Sequence, residues 1–392
     1  MVKSSSRKKR ERKGSERRSN KESHRHPRPK ATKRALSESR ASTNSNLKIA
    51  ALKNPIKVAL IGIGNVASAF VQAIYASKVD GIWHETIGGY KRQDIKIVAA
   101  FDVDPRKVGK DLSEAIFSVP NVTPSFSPVE KTGIIVQPGI ANYEIPKHVT
   151  TSPVATQNFI DLLRASGANI VLNLIPSGMN TTSYEYAQAA LRSECSFVNG
   201  TPSEIACDNN LVRKYENSQL VIAGDDILSQ FGGTAFHKGI LDFMNSRGLT
   251  IEKSYQLDVG GGSETLNTID ENIKLEKRNI KTETISEEVP YKFETVAGTT
   301  DYVDYMGNNR TSYFWIQARS FFDSDVKIDI YLRTNDAANA GNVLLDIIRA
   351  VIKSKSERRF GAPREICDYG FKKLPKPALL RRAHEEFLTR YS

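Results

Sequence analysis

Hydrophobic and polar positions along this chain repeat in an order that alternates buried strands with amphipathic helices. The first apolar run starts at Lys57 and ends at the glycine turn Gly62-Ile-Gly-Asn-Val-Ala67, after which apolar residues recur at helical spacing. Four further apolar runs follow, with helical patterns between them: 95–102, 169–175, 196–199 and 220–225. This alternation predicts a Rossmann-like, doubly wound α/β fold with a parallel sheet covered on both faces.

The pattern changes after about residue 250, where strand-like runs take on the polarity of a half-exposed sheet. They span 253–260, 313–322 and 327–333, and two helical patterns follow at 340–353 and 378–388. We therefore predict a second, α+β domain that is rich in sheet, with the last helices returning to the first domain. The predicted boundaries are 51–248 for the first domain, 249–335 for the second and 336–392 for the returning helices.

The glycine turn predicts a site for a dinucleotide pyrophosphate. Gly62 allows the tight turn, Gly64 lets the backbone approach the phosphates, and Ala67 allows close helix–strand packing. A lone GxGxxA pattern is weak evidence, but the strand before it and the helix after it supply the required context. An ordinary strand-to-helix turn is the alternative interpretation.

An acidic residue, Asp102, ends the second predicted strand, where a dinucleotide fold binds the adenosine ribose. It lies about forty residues after Gly62, twice the usual interval, and the polar stretch 78–92 accounts for the difference as a loop. Its carboxylate would favour NAD over NADP, because it repels a 2′-phosphate. Asp104 is the local competitor, and we interpret it as the cap of a helix led by Pro105.

The net charge of +12 belongs to the N-terminus and not to the remainder of the chain. Residues 1–50 contain 17 Lys/Arg and 4 Asp/Glu, whereas the other residues contain 39 basic and 40 acidic side chains. This tail has few apolar residues, so we predict that it is disordered. It could anchor nucleic acid or an acidic surface, act as a localisation signal, or be a solvated extension.

Composition and residue spacing argue against a disulfide framework, a histidine-based metal site and a membrane-spanning segment. The three cysteines, at 195, 207 and 367, are far apart, which favours a reducing compartment and a packing role. The six histidines form no metal-binding spacing, so we expect no histidine-based metal site. No apolar run reaches the roughly 18–20 residues that span a bilayer, and we expect a cytoplasmic protein without a membrane segment.

Two charged groups are ambiguous when they are judged by residue type alone. Lys277 and Lys281 are four residues apart and would share one helix face, where they could bind phosphate and stabilise an enolate or alkoxide. A solvated charged face is the favoured interpretation, because glutamates are close by in sequence. Asp225 and Asp226 end a strand before a helix that we place near Ser229, and a helix cap is favoured over a ligand role.

A resemblance to a known family changes this balance. Its residues are Gly62-Ile-Gly-Asn-Val-Ala67 with Phe70-Val-Gln72, Ala99-Ala-Phe-Asp-Val-Asp104 with Lys107-Val-Gly109, Asp111-Leu112 with Ala115-Ile-Phe117, Phe197-Val-Asn199, Gly224-Asp-Asp-Ile227 with Ser229-Gln230, Leu266-Asn267, and Asn339-Ala-Gly341 with Asp346 and Arg349. Together, over roughly residues 55–390, they resemble the compact bacterial and archaeal form of the myo-inositol-1-phosphate synthases. The family is also similar in its insertion after the first helix.

The resemblance implies an NAD-dependent enzyme, usually a homotetramer, that cyclises glucose 6-phosphate to 1-myo-inositol 3-phosphate (1L-myo-inositol 1-phosphate). The implied steps are oxidation at carbon 5, intramolecular aldol closure and reduction, with no net redox change. The residues that match catalytic positions are Lys277, Lys281, Lys372, Arg310 and Asp225. The residues that we expect to bind the cofactor are Gly62, Gly64, Asn65, Val66, Ala67, Asp102, Pro176, Ser177, Thr201, Asp226 and Asp336. A monovalent or divalent cation near Asp225 or Asp336 is left open.

Four positions depart from the family pattern. They affect the predicted substrate more than the predicted cofactor and fold. Arg310 stands where the family has a catalytic lysine, Leu228 where compact members have a lysine, Gly262 where there is an asparagine, and Asn308 where there is an aspartate. Arg310 keeps a positive charge but does not readily release a proton. Lys373 lies close enough to Lys372 to confuse the match.

Three hypotheses follow for the function. The first is the synthase itself, and the second is a divergent NAD-dependent dehydrogenase or epimerase that acts on another sugar phosphate. The third is a non-catalytic, NAD-responsive protein that holds nucleic acid through its tail. The charge distribution makes the third the weakest, since any nucleic-acid contact would be confined to residues 1–50.

Overall fold

Two sheets carry the fold in the computed structural model, which describes residues 54–140 and 154–392. The predicted basic tail, residues 1–50, lies outside these residues. The strands are β1 Ile56–Ile61, β2 Thr86–Ile87, β3 Tyr90–Lys91, β4 Ile95–Asp102, β5 Gln137–Pro138, β6 Ile170–Asn173, β7 Ser196–Asn199, β8 Ile222–Ala223, β9 Thr250–Gly260, β10 Glu294–Tyr302, β11 Asn309–Arg319 and β12 Asp325–Asn335. The helices are α1 Asn65–Tyr75, α2 Leu112–Ala115, α3 Thr156–Ser166, α4 Asn180–Arg192, α5 Asn209–Asn217, α6 Gly233–Ser246, α7 Ser263–Leu266, α8 Glu271–Ser286, α9 Asp336–Ser356, α10 Arg364–Gly370 and α11 Leu380–Tyr391.

The first sheet is parallel throughout, with the strand order β5-β4-β1-β6-β7-β8. If its six strands are numbered in chain order, this is 3-2-1-4-5-6, the order of two mononucleotide-binding halves. The predicted doubly wound fold is confirmed. The order reverses between β1 and β6, and the carboxyl ends of the strands at such a point form a crevice that binds ligands.

Strand β1 shows why this sheet must be covered on both faces. Val58 and Leu60 pack into one core with α1, α9 and α11, whereas Ala59 and Ile61 pack into the opposite core with α3 and α4. All four side chains are fully buried. Burying each of the larger ones stabilises the fold by about 1.5–3 kcal/mol, so both faces contribute to holding β1 in place.

The second sheet has the order β10-β9-β11-β12, in which β10 and β9 are parallel and the other neighbours antiparallel. Strand β10 is an element that the sequence did not reveal. Along β9 the usual polarity is inverted: Ser254, Gln256 and Asp258 are buried, whereas Tyr255 is half-buried and Leu257 is exposed. Helices α6 and α8 cover the inner face through a separate apolar core that includes Leu241, Ile285 and Ile316.

Helix α9 links the two sheets. The Asn335 side chain, at the end of β12, accepts the Ala338 N–H at 3.2 Å and caps the helix. The helix then packs on α1, where a side chain at Gly341 would meet the Phe70 nitrogen at 3.3 Å. Residues of α9, α10 and α11 therefore pack in one core with residues of the first sheet. The boundaries at 248 and 335 stay a prediction.

One local expectation was wrong. Pro105 does not lead a helix, because residues 105–109 form turns. Asp104 holds these turns: its carboxylate accepts the Arg106 N–H at 2.9 Å, and its carbonyl oxygen accepts the Lys107 N–H at 2.9 Å. The polar stretch 78–92, predicted as a loop, contains the short β2–β3 hairpin.

Substitution of Gly62 tests how closely the glycine turn approaches the Leu174 backbone. Gly62 has φ +81°, and an added Cβ would lie 2.7 Å from the Leu174 carbonyl oxygen, whereas Gly248 has φ +80° with no described atom within 4 Å of its Cβ. We expect Gly248→Ala to lower the free energy of unfolding by about 1–2 kcal/mol, and Gly62→Ala to lower it further because backbone blocks the methyl group. Urea denaturation of both variants measures the difference, and equal losses would contradict the close approach.

Candidate active site

The glycine turn opens a pocket at the carboxyl edge of the first sheet. Gly64 is the N-cap of α1, and among the described residues no side chain caps it and no acidic residue occupies the first helical turn. Gly64, Asn65 and Val66 line the pocket, and an added Cβ at Gly64 would meet no described atom within 4 Å. This helix end can receive an anion, because its N–H groups and dipole favour negative charge. Ala67 lies beneath it in the core and does not line the pocket.

Asp102 lies beside this turn and lines the pocket at the end of β4. Its Oδ2 accepts the Ile63 N–H at 2.7 Å, and its Oδ1 accepts the backbone N–H groups of Val103 and Asp104 at 2.7 and 2.9 Å. The Lys107 ammonium is 3.7 Å away. Asp102 therefore holds the turn in place, and its contact with a ribose stays a prediction.

The ends of the next strands deliver further predicted residues to the same pocket. Pro176 and Ser177 follow β6, Thr201 follows β7, and Asp226 follows β8, and all four line the pocket. Neither Asp225 nor Asp226 caps a helix, because α6 begins at Gly233 and its N-cap is Gly232. The cap interpretation was wrong.

Asp225 also departs from the sequence expectation, because it does not line the pocket that the described residues form. Its carboxylate is fully buried and accepts N–H groups from Ile205, Ala206 and Cys207 and from the Asn199 side chain, at 2.8–3.2 Å. Burial raises the pKa of Asp225 to about 6, and these hydrogen bonds oppose the shift. The side chain anchors a loop at the sheet edge, so the structure does not support a direct catalytic contact.

Five cationic side chains line the pocket in the part of the chain that the structure describes. Lys107 lies beside Asp102 at the glycine turn, and each of the other four pairs with its own carboxylate. The pairs are Lys277 with Glu264, Lys281 with Asp258 at 2.6 Å, Lys372 with Asp226 at 2.9 Å, and Arg310 with Asp336 at 2.9 Å. Lys277 and Lys281 are only 7% and 3% exposed on α8, so the solvated-face interpretation was wrong. The Ser177 hydroxyl joins the first pair, since it donates to Glu264 at 2.7 Å and lies 3.4 Å from the Lys277 ammonium.

Burial and neighbouring charges shift the pKa values of three of these cations. Burial lowers the pKa of Lys277 to about 7, and the neighbouring cations Lys372, Lys281 and Arg310 act in the same direction against the attraction of Asp226. Burial also lowers the pKa of Lys281, but Asp258 opposes this shift directly. The carboxylates around Arg310 raise its pKa despite burial. Lys277, with its pKa of about 7, can thus exchange a proton near neutral pH, as a general acid or base must.

Sequence reasoning missed two of the carboxylates, Glu264 and Asp258. The inverted polarity of β9, with polar residues at 254, 256 and 258 on one face, is a signal for Asp258, because buried polar side chains need partners. For Glu264, on the short helix α7, we find no corresponding signal.

The departures from the family pattern occupy different surroundings. Lys372 lines the pocket, whereas the Lys373 ammonium contacts the Pro202 carbonyl oxygen at 3.1 Å outside it, which separates the two candidates. Leu228 is buried away from the described pocket lining. Gly262 and Asn308 line the pocket, and an added Cβ at Gly262 would lie 3.5 Å from the Asn308 side chain.

No group of three or more His, Cys, Asp or Glu side chains in the described part of the chain could hold a metal ion. Asp336 pairs with Arg310, and Asp225 is saturated by N–H groups. Within the described ranges, neither carboxylate thus belongs to an acidic cluster for the cation that the sequence left open. Among the described helices, we find none that is both long and apolar enough to cross a bilayer.

The fold and this pocket define an α/β protein of dinucleotide-binding topology with buried ammonium groups beside the glycine turn. A family model described as myo-inositol-1-phosphate synthase matches residues 232–337. An inositol-3-phosphate synthase of Mycolicibacterium smegmatis is 33% identical over 340 residues, 82% of this chain and 93% of that protein. This chain therefore belongs to the myo-inositol-1-phosphate synthase family.

Solved structures share this fold. The crystal structure of Ari2 matches with a TM-score of 0.70 and 25% identity, covering 86% of this chain and 98% of that one. A myo-inositol-1-phosphate synthase-related protein from Thermotoga maritima shares the fold with a TM-score of 0.69 and 21% identity, over 86% of this chain and 98% of its own.

The low pKa of Lys277 predicts a pH dependence of stability. Its folded pKa of about 7 lies below the unfolded value of about 10.4, so between these values the unfolded state holds a proton that the folded state has lost. Stability from this group therefore rises as the pH increases from 7 towards 10. We expect Lys277→Met to flatten that rise and Lys274→Met, on the more exposed side of the same helix, to leave it unchanged. Urea denaturation across this range measures both slopes, and an unaltered slope in Lys277→Met would contradict the assignment.

Proposed function

We propose that this chain converts glucose 6-phosphate into myo-inositol 3-phosphate (1L-myo-inositol 1-phosphate), with NAD as its cofactor. The observation that carries the proposal is the set of four cations that surround one pocket continuous with the glycine turn. An intramolecular aldol closure creates negative charge on substrate oxygens, and preorganised cations in a buried site stabilise such charge. Membership of the family supports the same reaction.

The chain's own residues fit a dinucleotide. The open space at Gly64 and the uncapped start of α1 suit a pyrophosphate, and Asp102 suits a ribose. Asp226 also lines the pocket, and its buried Oδ2 has no hydrogen-bond partner among the described residues, so it can accept a hydroxyl group. When bound, the cofactor would take up hydride from a substrate carbinol and return it after ring closure.

The side chains then have distinct tasks. Lys281, Lys372 and Arg310 supply positive charge where a substrate oxygen becomes an alkoxide or enolate. Lys277, with its pKa of about 7, is the residue that we assign to proton transfer. Ser177 and Glu264 hold the Lys277 ammonium, and the partly exposed Glu264 carboxylate must give way when an anionic phosphate approaches.

A second candidate is an NAD-dependent dehydrogenase or epimerase that acts on another sugar phosphate. The observation that favours it is the position of Arg310 in the pocket, where it is held by Asp336 and kept protonated. An arginine there can bind an anion but cannot exchange a proton. Net accumulation of NADH would indicate this candidate, because the cyclisation returns its hydride.

Assembly as a homotetramer is also part of the proposal. The open face of the second sheet supports it, since Tyr255 stacks on Trp315 and Tyr313 packs against Tyr331, which is 73% exposed. A large aromatic patch on a sheet face is typical of a surface that another protein covers.

The test is incubation of the purified chain with glucose 6-phosphate and NAD, followed by detection of inositol phosphate by mass spectrometry. We expect product without net NADH. Lys277→Ala should lower the rate by at least 100-fold while NAD stays bound, because proton transfer is lost. Lys274→Ala, a matched lysine on the same helix, should retain activity. A fully active Lys277→Ala variant would refute its role, and the absence of product from the unmodified chain would count against the reaction.

The cofactor site can be tested separately at Gly64. Its φ of −88° accepts any residue, and a methyl group there enters open pocket space. We expect Gly64→Ala to fold normally and to weaken NAD binding by at least tenfold, because the methyl group occupies the place of the phosphates. Gly239→Ala, inside α6 with only an ordinary contact at 3.8 Å, is the control. Calorimetric titration with NAD measures both, and equal affinities would place the pyrophosphate elsewhere.

A further inference from the structure

The carboxylate that pairs with Lys281 differs from the other three in one respect. Glu264, Asp226 and Asp336 all line the pocket, whereas Asp258 does not belong to the lining that the described residues form. It is 1% exposed, and its Oδ2 accepts from the Lys281 ammonium at 2.6 Å. Substrate can therefore reach Lys281 but cannot displace or compete with Asp258.

Buried hydrogen bonds hold the Asp258 carboxylate through the oxygen that does not contact Lys281. This oxygen, Oδ1, accepts from the Gln256 amide at 2.8 Å and from the Ser312 hydroxyl at 2.6 Å. Behind Gln256, His237 lies 3.3 Å from the Gln256 oxygen and 3.0 Å from the Ser254 hydroxyl. Both carboxylate oxygens are thus engaged, and the polar row on β9 holds them in one orientation.

The charges around Lys281 show what Asp258 must offset. Arg310 on β11 and Lys372 after α10 lower the pKa of Lys281, and Asp258 on β9 opposes them. Lys277, four residues away on the same helix, is a third cation in the pocket lining. A buried lysine among three cations would otherwise tend to lose its proton.

We propose that Asp258 is a positioning residue, which keeps the Lys281 side chain as an ammonium ion aimed into the pocket throughout the reaction. Lys281 is then a fixed source of positive charge, in contrast to Lys277, whose partner Glu264 is partly exposed. This inference deepens the proposed function and rests on it for the catalytic role alone. The pairing itself can be measured without turnover.

The test compares Asp258→Asn with the unmodified chain. The amide keeps the shape but removes the charge, so Lys281 should lose its proton at lower pH. We expect the alkaline limb of the kcat–pH profile to move down by one unit or more, with kcat falling more than KM changes. Asp346→Asn is the matched control, because Asp346 is equally buried and pairs with Arg349 away from the pocket. It should leave the limb in place.

A second measurement does not depend on turnover. Competitive acetylation with acetic anhydride, followed by peptide mass spectrometry, gives the pH midpoint at which the Lys281 amine becomes reactive. We expect this midpoint to fall by one unit or more in Asp258→Asn and to stay unchanged in Asp346→Asn. A shifted midpoint in a chain that makes no inositol phosphate would sink the proposed function and leave the pairing intact. An unshifted midpoint would overturn the role of Asp258.

If Asp258→Asn does not fold, the double variant Asp258→Asn/Lys281→Met decides. It removes both charges of the pair, so no buried cation is left without its carboxylate. We expect the double variant to fold and to show a cooperative melting transition, which the unfolded Asp258→Asn variant lacks. A double variant that also fails to fold would overturn the proposal.

Discussion

The compensation of buried positive charge is the constraint on which this site depends. Four cations placed around one pocket repel each other, and each loses most of its hydration, so none could remain charged without a nearby anion. The chain meets this need with one carboxylate for each of these cations, drawn from the loop after β8, from β9, from α7 and from the start of α9. Because those carboxylates come from elements far apart in sequence, the pocket exists only when both sheets are formed.

The two sheets contribute differently to the pocket. The parallel sheet supplies backbone: a glycine turn, a helix end and strand ends that meet where the strand order reverses. The mixed sheet and α8 supply charged side chains, and the inverted polarity of β9 allows a carboxylate to reach the Lys281 ammonium from behind the pocket lining. A dinucleotide and an anionic sugar phosphate need these two kinds of surface in turn, since the first is bound by N–H groups and the second by ammonium groups.

Much of the first sheet could be predicted from sequence, because apolar runs such as 95–102 and 196–199 mark parallel strands buried on both faces. The glycine turn could be placed for the same reason. Asp225 and Asp226 could not be separated, since adjacent residues diverge: one faces backbone N–H groups and the other faces Lys372. The burial of Lys277 and Lys281 depends on long-range packing of α8, so residue type alone favoured the wrong interpretation. The resemblance to the family supplied what local pattern lacked.

Helix α9 begins at Asp336, the partner of Arg310, and continues for 21 residues into the core beneath β1. The carboxylate that orients a pocket cation is therefore attached to a long helix whose middle turns are buried in the core. Repacking at Leu344 or Ile348, more than two helical turns from Asp336, would move Asp336 as one body with the helix. Substitutions in the core of this enzyme can therefore change its affinity for a substrate, although the substituted residues do not contact the substrate.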